Sequence, residues 1–73
     1  MPETLYALGK AEALGGYSQA AEKDWNRLLA LEKDTELAEK AHFGLAGVYR
    51  KLGKPSDAAR EMKAYEELKG ARK

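Results

Sequence analysis

Apolar residues recur along this chain of 73 residues at steps of three and four positions, the spacing of one face of an α-helix. The pattern breaks twice, at Gly15-Gly16 and at Gly53-Lys54-Pro55, and Gly and Pro are the residues that most often end helices. Residues that favour strands are scarce, with two Thr, one Val and no Ile. The sequence therefore predicts four helices, near residues 3–14, 17–32, 35–52 and 55–69.

Each of the last three predicted helices carries one continuous apolar stripe. We expect these stripes to face one another and to form the core. Their members are Ala21, Trp25, Leu28 and Leu31 in the second helix, Ala38, Ala41, Leu45, Val48 and Leu52 in the third, and Ala58, Met62, Tyr65 and Leu68 in the fourth.

The two halves of the chain match when one is shifted by 37 residues along the other. The identical pairs are Leu8 with Leu45, Gly16 with Gly53, Ala21 with Ala58, and Leu31 with Leu68. Similar pairs lie around them, including Tyr6 with Phe43 and Trp25 with Met62. An internal repeat of this length, with a helix–turn–helix in each copy, is typical of an α-solenoid.

The repeat resembles the tetratricopeptide family, whose pattern is W-x2-L-G-x2-Y, then A-x3-F, then P. The first copy reads Leu5-x2-Leu8-Gly9-x2-Glu12 and then Ala21-x3-Trp25, and the second reads His42-x2-Leu45-Ala46-x2-Tyr49 and then Ala58-x3-Met62. The chain departs from the family at the Trp position, which holds Leu5 and His42, and it lacks the closing Pro. Its period of 37 also exceeds the family's usual length of about 34.

The resemblance implies an all-α fold in which four antiparallel helices form two stacked hairpins, a fragment of a right-handed α-solenoid. The chain is then a single domain, with hairpins at about 3–32 and 35–69 and a basic tail at 70–73. Large residues at Leu8, Leu45, Trp25 and Met62 are expected to fill the space between helices, and the third helix to be about one turn longer than usual. The alternative is an unrelated four-helix bundle.

Composition narrows the class of function. A formal net charge of +1 disfavours a nucleic-acid-binding protein. No run approaches the roughly 18 apolar residues of a membrane span, and the first residues lack the features of a signal peptide. Together with the absence of cysteine, this favours a cytoplasmic protein.

The chain offers little for catalysis. His42 is the only histidine, there is no cysteine, and Ser18 and Ser56 are the only serines. Nucleophilic and metal sites need several such groups together. We therefore expect no enzyme, with no catalytic, cofactor-binding or metal-binding residues, and a structural or surface role for His42.

The family resemblance implies a concave groove, lined by the first helix of each hairpin, that holds a peptide or partner protein. The residues expected to line it are Tyr6, Lys10, Ala13, Lys40, Phe43, Gly44, Gly47 and Arg50. Aromatic surface beside basic side chains favours an acidic or carboxylate-bearing peptide with an apolar anchor. Alternatively, Tyr6 and Phe43 pack between the hairpins, and the two glycines permit a close helix crossing. The Asn with which part of the family grips a terminal carboxylate is missing here, so that specificity is not predicted.

The second hypothesis is self-assembly. Two repeats are few for a solenoid, and Met62, Tyr65 and Leu68 have no further helix to cover them. The link at 32–35 contains no Gly or Pro. Either Asp34 caps the third helix, or the second and third helices run on as one and exchange hairpins in a homodimer. A repeat scaffold that was designed, or excised from a longer protein, fits the same pattern.

Overall fold

The computed structural model describes residues 1–71 and contains four α-helices, with no strand among those residues. They are α1 (Pro2–Leu14), α2 (Ser18–Leu31), α3 (Glu36–Lys51) and α4 (Pro55–Ala71). The four predicted helices are confirmed, and every end lies within two residues of its expected position. α4 continues through Gly70 and Ala71, the first two residues of the predicted basic tail, and Arg72 and Lys73 lie outside the described residues.

The first helix of each hairpin ends in the same turn. Gly16 and Gly53 have positive φ angles of 88° and 75°, a conformation that glycine adopts without steric cost. The next backbone N–H, from Tyr17 or from Lys54, donates to a carbonyl five residues earlier over 2.8 Å in both hairpins. This is the Schellman arrangement, which satisfies carbonyls at a helix end. The 37-residue repeat is therefore present in the backbone as well as in the sequence.

The link between the hairpins is not helical. Glu32 is extended, and α3 starts after Thr35, whose hydroxyl accepts a hydrogen bond of 3.2 Å from the backbone N–H of Ala38. The cap of α3 is thus Thr35 and not Asp34, because the residue directly before the first helical turn reaches the free N–H groups best. Within this chain α2 and α3 do not run on as one helix.

The helices pack in pairs: α1 lies on α2, α3 lies on α4, and the two hairpins meet chiefly where α2 packs on α3. The all-α fold and its helical hairpins are therefore confirmed. Because α3 has a helix on either side, it has more buried residues than any of the other three helices. The buried core cluster consists of Ala21, Trp25, Leu28, Ala41, Leu45, Val48, Tyr49 and Ala58.

The predicted apolar stripes are buried only in part. Leu8, expected between the helices, is 47% exposed, and Leu31, at the end of α2, is 59% exposed. Those two predictions are wrong because no helix of the described chain lies outside α1 or beyond the end of α2. On α4, by contrast, Met62 and Tyr65 are half-buried.

Candidate functional site

An open cavity of 430 Å³ lies between α1 and α3. Its walls come from one face of each helix, and α2 closes its floor. It is lined by Tyr6, Lys10, Ala13 and Leu14 of α1, by Trp25 of α2, and by Lys40, Phe43, Gly44, Gly47, Val48 and Lys51 of α3. Seven of the eight residues predicted to line a groove are therefore brought together. We call this cavity the α1–α3 groove.

Arg50 is the eighth predicted residue, and it does not line the groove; Lys51 does. Successive residues of a helix are rotated by roughly 100°, so the side chain four positions after Gly47 returns to the same face. Arg50 is exposed in the last turn of α3, beside the groove face. The sequence analysis also missed Leu14, Trp25 and Val48, although the three- and four-residue spacing from Lys10 and Gly44 points to Leu14 and Val48.

Trp25 forms the floor because both neighbouring helices lack a side chain where its indole lies. A methyl group on Gly9 of α1 would overlap the indole nitrogen, and one on Gly44 of α3 would come to 2.5 Å of the ring. The indole N–H donates a hydrogen bond of 3.2 Å to the carbonyl of Tyr6, so its polar group is satisfied. The space beside Gly44 is thus filled by the Trp25 ring, as expected under the alternative in which this glycine permits a close helix crossing.

Tyr6 and Phe43, the two aromatic residues predicted for the groove, pack within their own hairpins. The Tyr6 ring stacks on Trp25 with a centroid separation of 6.1 Å, and Phe43 contacts Tyr65 of α4 at 5.0 Å. Phe43 nevertheless remains 56% exposed. The alternative in which both rings fill the space between hairpins does not describe Phe43, which leaves a large apolar surface at the groove wall.

Positive charge surrounds this apolar surface. Lys10, Lys40 and Lys51 line the groove, and among residues 1–71 no carboxylate lines it. The Lys40 ammonium lies 5.9 Å from the centroid of the Tyr6 ring, a cation–π contact that connects α3 to α1. The groove therefore offers an apolar floor with cations around it, which is the complement of an apolar group flanked by anions.

Gly47 differs from Gly44. A methyl group built on Gly47 would meet no atom within 4 Å, and its φ angle is not in the positive region. Neither packing nor backbone conformation requires glycine there. The result is a stretch of bare α3 backbone that faces the groove.

The second hairpin contains one close polar pair between helices. Nδ1 of His42 on α3 lies 2.6 Å from Oε1 of Glu61 on α4, and both side chains are largely buried. These two atoms are partners of one another, and the contact joins α3 to α4. The structural role expected for His42 is consistent with this contact.

The first hairpin contains a pair of carboxyl groups instead. Glu12 of α1 faces Asp24 of α2, and Oε1 of Glu12 is buried without a conventional donor among the described residues. A hydrogen bond to Asp24, burial and the negative charge of Asp24 all raise the pKa of Glu12, in that order of size. Two carboxylates share a hydrogen bond only when one of them holds a proton.

Residues 1–71 contain neither a candidate metal site nor a candidate membrane span. No set of three or more His, Cys, Asp or Glu side chains there is placed to hold a metal ion. None of the helices in that part of the chain is both long and apolar enough to cross a membrane.

Comparisons with family models, with curated proteins and with solved structures give no match to this chain. The resemblance to tetratricopeptide repeats therefore depends on the residues and the repeat alone.

Proposed function

We propose that this chain is a non-catalytic, tetratricopeptide-like interaction module that binds an acidic segment of a partner protein in the α1–α3 groove. The observation that carries the proposal is the composition of the groove, in which exposed Phe43 and an apolar floor are surrounded by three lysines. The apolar surface inside a groove provides affinity for a ligand, and the charge around the groove selects the partner and speeds association.

The proposal extends to the arrangement of the hairpins. Under it, the pair α1–α2 and the pair α3–α4 are two stacked repeats of a short solenoid, so that α1 and α3 form its concave side. The matching turns at Gly16 and Gly53 and the packing of α2 on α3 support this arrangement.

The test is a titration of labelled protein with blocked peptides that each contain two aspartates and one phenylalanine at varied spacing. Backbone amide shifts are measured by NMR, together with the emission of Trp25, the chain's only tryptophan. We expect saturable shifts at residues that line the groove and a change in Trp25 emission. Shifts confined to the chain ends, or equal shifts with lysine in place of aspartate, would overturn the proposal.

Lys51 and Arg50 provide a matched pair of charge reversals. They are adjacent in the last turn of α3, but only Lys51 lines the groove. Lys51→Glu should weaken peptide binding about fivefold, since a partly exposed ion pair is replaced by repulsion. Arg50→Glu makes the same change in net charge and should leave binding almost unaltered. Equal losses in the two variants would indicate a general charge effect and no defined groove.

A second candidate function is self-association, and the exposed side of α1 favours it. We call Thr4, Leu8 and Ala11, together with Met1 directly before the helix, the outer stripe of α1; the side chains of all four are exposed and uncharged. A mostly apolar, uncharged side of a helix is usually covered by another element. A second copy of the chain is a partner that carries the same stripe, as a two-fold interface requires.

Light scattering behind size-exclusion chromatography over a dilution series tests this candidate. Self-association predicts a mass near twice 8.1 kDa at high concentration that falls toward the monomer on dilution. Leu8→Glu should abolish the dimer, whereas Arg60→Glu, at an exposed position of α4, should not. A monomer at every concentration would refute self-association and leave the groove proposal as it is.

A further inference from the structure

We infer that Gly47 is the specificity-determining position of the groove, where a large apolar side chain of the bound segment sits directly on the bare backbone of α3. On this inference the preferred ligand carries one such anchor between two acidic residues about four positions apart. The inference rests on the proposed binding function and names the chemistry of its ligand.

The two central glycines of α3, Gly44 and Gly47, differ in whether the protein's own packing explains them. Gly44 is explained by the protein itself, because the Trp25 ring occupies the space that its side chain would need. The space above Gly47 is empty, and its backbone is ordinary right-handed helix. Glycine at such a position destabilises a helix relative to alanine. Since Gly47 has no internal packing reason and lines the groove, we assign the free space above it to a side chain of the bound segment.

The surroundings of Gly47 are those of an anchor pocket. Phe43 lies one turn before Gly47 on the same face, Val48 follows it directly, and the Trp25 ring packs against Gly44, three residues earlier; all three line the groove. Phe43 is 56% exposed, so its ring is available to a ligand side chain. Aromatic groups stack or pack edge-to-face well against such a ring.

The lysines set the spacing of the acidic residues. Lys40 and Lys51 lie on the groove face of α3 at opposite ends, seven residues before and four residues after Gly47. At 1.5 Å per residue the two positions are about 16 Å apart along the helix. An extended segment covers about 13 Å in four residues, and lysine side chains close the remainder. Two carboxylates four positions apart, with the anchor between them, fit this geometry.

The test uses the full chain and a blocked pentapeptide with aspartate at both ends, alanine at the second and fourth positions, and phenylalanine in the middle. Binding to wild type, Gly47→Ala and Gly70→Ala is measured by the NMR shift of groove amides. Gly70 is also a helical glycine without neighbours around a built methyl group, but it does not line the groove. It is therefore the matched control for the general effect of replacing glycine.

We expect Gly47→Ala to weaken binding of this peptide about tenfold, because the added methyl group occupies the anchor's position. The same substitution should raise the Tm of the free protein by roughly 4 °C, so a loss of binding cannot come from unfolding. Gly70→Ala should leave affinity unchanged. Replacing the central phenylalanine by alanine should remove the difference between wild type and Gly47→Ala.

Two results would overturn the inference, and they are distinguishable. If wild type and Gly47→Ala bind the peptide equally, Gly47 does not receive the anchor, while binding in the groove stands. If wild type gives no saturable shift with this or any acidic peptide of varied spacing, the proposed function fails as well.

Discussion

Helices α1 and α3 occupy equivalent positions in the repeat, yet their equivalent side chains lie in opposite environments. Leu45 is fully buried, whereas its counterpart Leu8 is 47% exposed. The same holds along the whole stripe. Ala38, Ala41, Leu45 and Val48 of α3 are buried, and their counterparts on the outer stripe of α1 are all exposed. The difference teaches that an apolar stripe is buried only where another helix is present to cover it: α3 lies between α2 and α4, and α1 has one side without a neighbour.

The two hairpins also differ in which side chain lies opposite the buried acidic residue of each. Asp24 of α2 and Glu61 of α4 are equivalent in the repeat, and each is 8% exposed. Glu61 is matched by His42 across its hairpin, while Asp24 faces Glu12, another acid. The second hairpin is therefore electrostatically satisfied and the first is frustrated.

The largest expected effect concerns the two equivalent leucines. Leu45→Ala should lower the free energy of unfolding by about 3 kcal/mol, since it empties a fully buried site in the core. Leu8→Ala should cost less than about 1 kcal/mol, because half of that side chain is already in water. Urea unfolding of the two variants measures both. Similar losses would mean that the outer stripe of α1 is covered in solution.

The next effect concerns the His42–Glu61 pair. His42→Ala should cost about 2 kcal/mol, because it leaves the buried Glu61 carboxylate without a donor. His42→Gln, which keeps a donor, should recover part of that loss. The control is Arg60→Ala, which breaks an exposed 2.9 Å pair with Asp57 and should cost less than about 0.5 kcal/mol. Equal losses for Ala and Gln at position 42 would show that packing alone, and no hydrogen bond, holds α3 to α4 there.

The smallest effect concerns Glu12. Because its pKa is raised in the folded protein, the folded state holds that proton more tightly than the unfolded state does. The free energy of unfolding contributed by this group is therefore present at acidic pH and falls as pH rises through the raised pKa. Glu12→Gln lacks this loss, so its Tm should exceed that of wild type at pH 7.

The control and the pH series decide that prediction. The advantage of Glu12→Gln should shrink as pH falls to about 4, within the ordinary range of a glutamate. Glu67→Gln, at an exposed position of α4, should show no such trend. A constant difference between Glu12→Gln and wild type across this range would contradict the charge argument. Thermal unfolding followed by circular dichroism gives each Tm.

Most of the residues that line the groove could be predicted from helical spacing and from the family resemblance. Tyr6, Lys10 and Ala13 recur at helical intervals on one face of α1, and the same rule gives Lys40, Phe43 and Gly47 on α3. Spacing did not find Trp25, because that residue reaches the groove from a third helix. Only the close packing of Gly9 and Gly44 on its ring brings the indole to the floor.

The sequence by itself determined the four helices and the repeat, since apolar spacing and helix-breaking glycines act within a few residues of one another. It did not decide whether α2 and α3 run on as one helix, because the link at 32–35 has no Gly or Pro. Only the tertiary structure decided which of two equivalent stripes is buried, which glycine receives Trp25, and which acid finds a histidine. The physical reason is that burial, close approach and charge pairing depend on which helix and which side chain lie opposite a residue in the folded chain. Residues such as Leu8 and Leu45 carry the same side chain, and the number of helices around them sets the difference.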